Sequence, residues 1–80
     1  MLKNKNTYQT NSLALASAIS LFIPLLEITK DEQGHCLFSF LSSPELNKLI
    51  EDYWNKNLSV DAFDHFTQIK SLKARIYELL

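Results

Sequence analysis

Two histidines, one cysteine and nine acidic residues are the chain's stock of groups for metal or acid–base chemistry. Their spacing assembles little. His35 and Cys36 are adjacent, but a structural zinc site takes four ligands, and no CxxC or HxxxH pattern supplies the rest. Asp61, Asp64 and His65 would have to be brought to the pair by the fold. The simpler account makes His35 an exposed turn residue and Cys36 a small buried hydrophobe. No metal and no cofactor are expected. No helix start follows Cys36 to lower its thiol pKa, and no strained elbow surrounds a serine. Asp61 and His65 stand at i, i+4 and can touch, and an Asp–His pair can serve a general base. Without a third partner, it reads better as a surface pair at a helix start, where acids suit the dipole. The expectation is a protein that is not an enzyme.

Binding chemistry has two candidate locations. Lys70, Lys73 and Arg75 are the densest positive charge in the chain, with Lys70 and Lys73 on one helix face at i, i+3 and Arg75 turned away. Cations near a helix C-terminus complement the macrodipole, which accounts for them without a ligand. Phosphate contact is the sharper reading, and so few charges would bind nucleic acid weakly and with strong salt dependence. Tyr53 and Trp54 form the second location. Trp54 is expected in the core, with a half-exposed partner anchor as the alternative. A lone glycine rules out a glycine-rich phosphate loop.

Eighty residues, 46% hydrophobic and 11% aromatic, suffice for one compact domain with a single core. The net charge of −1 is uneven: residues 1–30 carry +2, residues 31–64 carry −5, and residues 67–80 carry +2. No general pull on nucleic acid or membranes follows, although the charge leaves room for a local basic patch. One cysteine excludes an internal disulfide and points to a reducing cytoplasm, with no disulfide-linked partner. Lys3 and Lys5 before the apolar run Leu13 to Leu26 mimic a signal peptide. However, the small residues lie inside that run and fourteen residues are too few to span a bilayer, so neither a leader nor a membrane anchor is expected.

The elements that must position these residues are readable in order. Met1 to Asn6 is polar and expected to fray. Thr7 to Thr10 reads as a short edge strand, and Thr10, Asn11 and Ser12 offer successive caps for an almost wholly apolar helix ended by Pro24. Leu25–Thr29 and Cys36–Leu41 flank Gly34, whose freedom to take positive φ suits a hairpin connection, and Phe38 and Phe40 mark the core face. Ser42-Ser43-Pro44-Glu45 starts a second helix in one of two ways. Ser42 as N-cap would make a capping box with Glu45 and a Leu41/Leu46 staple, whereas Ser43 as N-cap puts Pro44 at the first helical position. Leu46, Leu49, Ile50, Tyr53 and Trp54 form its stripe. Asn55-Lys56-Asn57 is a turn with asparagine in the left-handed region. The last helix is capped by Ser59 or Asp61, with Leu58 and Phe63 as a staple, and it buries Ala62, Phe66, Ile69, Leu72, Ile76 and Leu79.

Taken together, Tyr8-x-Thr10 before Leu13-Ala14-Leu15-Ala16, Cys36-x-Phe38-x-Phe40, Ser43-Pro44-Glu45-Leu46, Tyr53-Trp54, Leu58-x-Val60-Asp61 and Phe66-x-x-x-Lys70-x-Leu72-Lys73-x-x-Ile76-Tyr77 are distinctive. This set resembles a family of small bacterial and phage proteins catalogued only as a domain of unknown function. The likeness covers about residues 7 to 80 and departs at Asn11, where many relatives carry an acid. It implies a compact α+β fold and a bacterial or phage origin, and no catalytic residues.

The expected architecture is α+β. A small antiparallel sheet of two to three strands, with a hairpin at about 25–41 and a short strand at 7–10, packs with three helices at about 12–22, 43–55 and 60–79. Residues 1–6 form the frayed terminus and 7–80 one domain. The expected function is a non-enzymatic protein-interaction module, self-pairing as a homodimer or binding another protein through a sheet edge or the Tyr53/Trp54 region. The alternative is an accessory nucleic-acid binder using Lys70 and Lys73, and an Asp61/His65 enzyme ranks last.

Overall fold

In the computed structural model, which describes residues 6–79, the chain runs β1 (Thr7–Thr10), α1 (Leu13–Ser20), β2 (Leu25–Lys30), β3 (Cys36–Leu41), α2 (Pro44–Trp54) and α3 (Ala62–Leu79). The α+β class, the three helices and the antiparallel sheet are as expected, and the third strand is present. The strand order is β1-β3-β2, with β3 central and antiparallel to both neighbours. β1 and β2 are therefore parallel to each other and held apart by β3, a split β-α-β unit. Ser42 N–H donates to the Asn6 carbonyl at 2.6 Å, so Asn6, expected to fray, is tied to the end of β3. Residues 1–5 of that expected segment lie outside the described residues.

Alternation decides the sheet faces. Tyr8 and Leu25 flank Phe40, and Thr10 and Ile28 flank Phe38; this is the face that meets the helices. Gln9, Ser39 and Glu27 form a polar row on the other face, where Gln9 Nε2 donates to Ser39 Oγ at 3.1 Å. A bulge between Leu25 and Glu27 interrupts β2, which blunts that edge against a further strand.

α1 begins where Ser12 Oγ accepts the Leu15 N–H at 3.2 Å, and Thr10 Oγ1 in turn accepts the Ser12 N–H. Five of its eight residues, Leu15 to Ile19, are buried, because α2 and α3 both pack on it as it lies over the sheet. One core results, made of Leu15, Ala16 and Ile19 with Phe38, Phe40, Leu46 and Leu72. Ser17 is fully buried, and its hydroxyl has no hydrogen-bond partner among the described residues.

The two turns are set by different residues. In the hairpin, Gly34 takes φ +87° and donates to the Asp31 carbonyl at 3.0 Å. Asp31 Oδ1 accepts both the Gln33 and His35 N–H groups at 2.9 Å. After α2, the left-handed residue is Lys56 at φ +62°, not either of the flanking asparagines. Lys56 N–H reaches the Tyr53 carbonyl and Asn57 N–H the Asp52 carbonyl, the paired closure of a Schellman motif with lysine in the usual glycine position.

Ser17→Ala removes a desolvated, unpaired hydroxyl and is expected to raise unfolding stability by about 1 kcal/mol in urea titration. Gly34→Ala meets open space but forces a side chain into positive φ, and is expected to lower stability by about 1–2 kcal/mol. The His35 backbone N–H, aided by the Gln33 N–H and the His35 ring, holds the Asp31 carboxyl below its ordinary value of 3.8. A lowered folded pKa gives stability that is present above 3.8 and lost as pH falls through the folded value. Acid titration of Asp31→Asn should show that part of the loss removed.

Candidate functional site

Capping decides which apolar residues reach solvent. Ser43, not Ser42, caps α2: its hydroxyl accepts the Leu46 N–H at 3.0 Å and Pro44 takes the first turn. The Leu41/Leu46 staple needs Ser42 at the cap, so it does not form, and Leu41 is left exposed while Leu46 is buried. Asp61, not Ser59, caps α3 through Oδ1 and the Asp64 N–H at 3.0 Å. The expected Leu58/Phe63 staple is lost in the same way, and Phe63 stands 74% exposed.

α3 turns the middle of its expected stripe inward, but not the ends. The side turned inward carries His65, Ile69, Leu72 and Ile76, of which Leu72 is fully buried. His65 occupies the position that an apolar residue would mark, with Nε2 directed at the Ala14 carbonyl at 3.2 Å. Ala62, Phe66 and Leu79, expected in the core, are exposed. The polar His65 hid the true stripe from a reading by hydrophobic periodicity.

The sequence-derived candidates separate accordingly. Tyr53 is half-buried and packs against the core. Trp54, expected in the core, is 64% exposed and meets the Tyr53 ring edge-on at 5.2 Å and 88°. Lys70 and Lys73 are both exposed, and Lys70 Nζ lies 5.3 Å from the Phe66 ring centre, a cation–π contact. Among the described residues the ion pairs are Asp31–His35 and Lys48–Asp52, so neither Lys70 nor Lys73 has an acidic partner. Arg75 lies apart, lining a cleft with Glu27 and Glu78 beside β2.

The groups for acid–base chemistry are not brought together. Asp61 is engaged at the helix cap and His65 at the α1 carbonyl. His35 Nδ1 sits 3.3 Å from Asp31 Oδ2 in the hairpin turn, and Cys36 is half-buried at the core margin. Among the described residues, no three His, Cys, Asp or Glu side chains are grouped as a metal site would need.

What the structure offers instead is uncovered apolar surface. Phe22, Pro24, Leu26 and Leu41 line a shallow groove of about 250 Å³ beside the bulged end of β2. The sequence does not single it out, since one of the two α2 caps would place Leu41 in a staple and the apolar first helix, expected to about residue 22, takes in Phe22. A second apolar surface runs along the outer side of α3, where Phe63, Phe66 (58% exposed) and Tyr77 (73% exposed) stand with Lys70 and Lys73. Among the described residues no helix is long and apolar enough to cross a membrane.

The family model described as "Domain of unknown function (DUF5659)" matches residues 5–78, nearly the whole chain. No curated protein and no solved structure matches it.

Exposure of the single tryptophan is directly measurable. Acrylamide should quench Trp54 fluorescence in the folded chain almost as efficiently as in the urea-unfolded chain. Trp54→Ala should cost less than about 0.5 kcal/mol of stability, against about 3–5 kcal/mol for Phe40→Ala.

Proposed function

We propose that the chain, which belongs to the DUF5659 family, is a non-enzymatic protein-interaction module. The observation that carries this reading is the apolar surface left uncovered on so small a domain. Eight large hydrophobic side chains are exposed among the described residues, in part gathered into the β2 groove and the outer face of α3. Contiguous apolar surface of this kind marks interaction sites more often than idle exterior. Trp54 beside Tyr53 adds an aromatic anchor of the type that dominates binding energies. A reducing cytoplasm in a bacterial or phage setting is the compartment that suits the lone, half-buried Cys36.

The partner is a second copy of the chain or another protein. The blunted β2 edge disfavours strand-to-strand pairing there and shifts weight to the side-chain surfaces. An accessory nucleic-acid role is the second reading, favoured by the exposed Lys70 and Lys73, which have no acidic partner among the described residues, and by Phe66 beside Lys70.

Site-specific photo-crosslinking tests the reading in the native host. Benzoyl-phenylalanine placed at Leu41 or at Phe66 should yield a discrete protein adduct, whereas placement at Glu32 in the hairpin turn should not. An adduct of twice the chain's mass would identify self-association. No protein adduct from either position would contradict the proposal.

A further inference from the structure

The outer face of α3 has a regular pattern. Phe63, Phe66, Lys70, Lys73 and Tyr77 follow a 3-4-3-4 spacing, all are exposed, and they lie on the side of the helix away from Leu72. At 100° per residue the five fall within about 80° of arc, and at 1.5 Å per residue they extend over about 21 Å. This is the geometry of a helix–helix seam, in which every position of the stripe faces one partner helix lying alongside. Nothing among the described residues covers it.

Charge identifies the partner. The stripe reads apolar, apolar, lysine, lysine, apolar. Lys70 has its ammonium on the Phe66 ring, and among the described residues neither lysine has an acidic neighbour within ion-pair distance. A second copy laid antiparallel on the same stripe would set Lys70 against its own copy at the centre of the contact. Like charges there are unfavourable, so self-pairing through α3 is opposed. A nucleic-acid strand carries negative charge along its whole length, whereas this helix is cationic only in its middle. Asp61 and Asp64 sit beside the Phe63 end and Glu78 beside Tyr77, where they would repel phosphates. The complementary object has carboxylates only opposite the middle and apolar groups at both ends.

We infer that the outer face of α3 docks an amphipathic helix of another protein, with two acidic residues meeting Lys70 and Lys73 and apolar residues meeting Phe63, Phe66 and Tyr77. This assignment rests on the interaction reading above and specifies which surface serves it. The lysine stems cover the gap between the aromatic anchors, and their charges select the partner and fix its register.

A synthetic helix with two central glutamates between leucine anchors is the probe, read by amide-resolved NMR and by fluorescence anisotropy at physiological salt. The expected result is chemical-shift change confined to residues 62–78. Binding should weaken by roughly tenfold or more in Lys70→Glu/Lys73→Glu and in Phe66→Ala, all solvent-facing changes that leave the core intact. A probe with lysines in place of its glutamates should recover binding to the Lys70→Glu/Lys73→Glu variant. Indifference of the acidic probe's affinity to charge reversal would overturn the inference. So would preferential binding of single-stranded oligonucleotide, or self-association abolished by Phe66→Ala. Crosslinks from Leu41 with no probe response on α3 would also overturn it while leaving the interaction module standing. Absence of both would remove the broader reading as well.

Discussion

Burial of α1 is the constraint on which the rest depends. Five consecutive residues, Leu15 to Ile19, are removed from water at once, which a helix achieves only when it is covered on nearly every side. The sheet supplies one cover through Phe38 and Phe40, and α2 and α3 supply the others through Leu46 and Leu72. α1 connects β1 to β2, which flank β3, so the crossover between the two edge strands carries α1 across the sheet. The unpaired Ser17 hydroxyl is tolerated in this interior although nothing satisfies it.

The same arrangement explains the surface. A chain of 80 residues has one core, and once α1 occupies its middle, α2 and α3 can each offer only one face to it. α3 is eighteen residues long, yet it contributes a single fully buried side chain, Leu72. Its remaining aromatic residues point to water, as do Phe22, Leu26 and Leu41 at the far end of the sheet. The functional reading follows from this surplus.

Much of the fold was legible because local signals agreed with one another. Ser12, Ser43 and Asp61 are capping residues, Pro44 sits at a first turn, and Gly34 takes the positive φ that its position in the hairpin suggests. The outward face of α3 was not legible, for two physical reasons. Where two caps compete, a shift of one or two residues moves a leucine or phenylalanine from a staple to solvent, and propensity alone does not choose between them. A half-buried histidine directed at a carbonyl also looks polar in sequence, so the stripe is legible at Ile69, Leu72 and Ile76 but not at its start, which is His65 and not Phe66. Trp54 went astray for a related reason. It continues the α2 stripe in sequence, but it lies at the last residue of the helix, where α2 has run past the core.

Packing around α1 leaves the aromatic face of α3 uncovered. Hydroxyl-radical footprinting of the dilute folded chain tests it in one measurement, because phenylalanines serve as both probe and reference. Phe63 and Phe66 should be modified at rates close to those of the unfolded chain while Phe38 and Phe40 are protected. Protection of Phe66 equal to that of Phe38 would contradict the account.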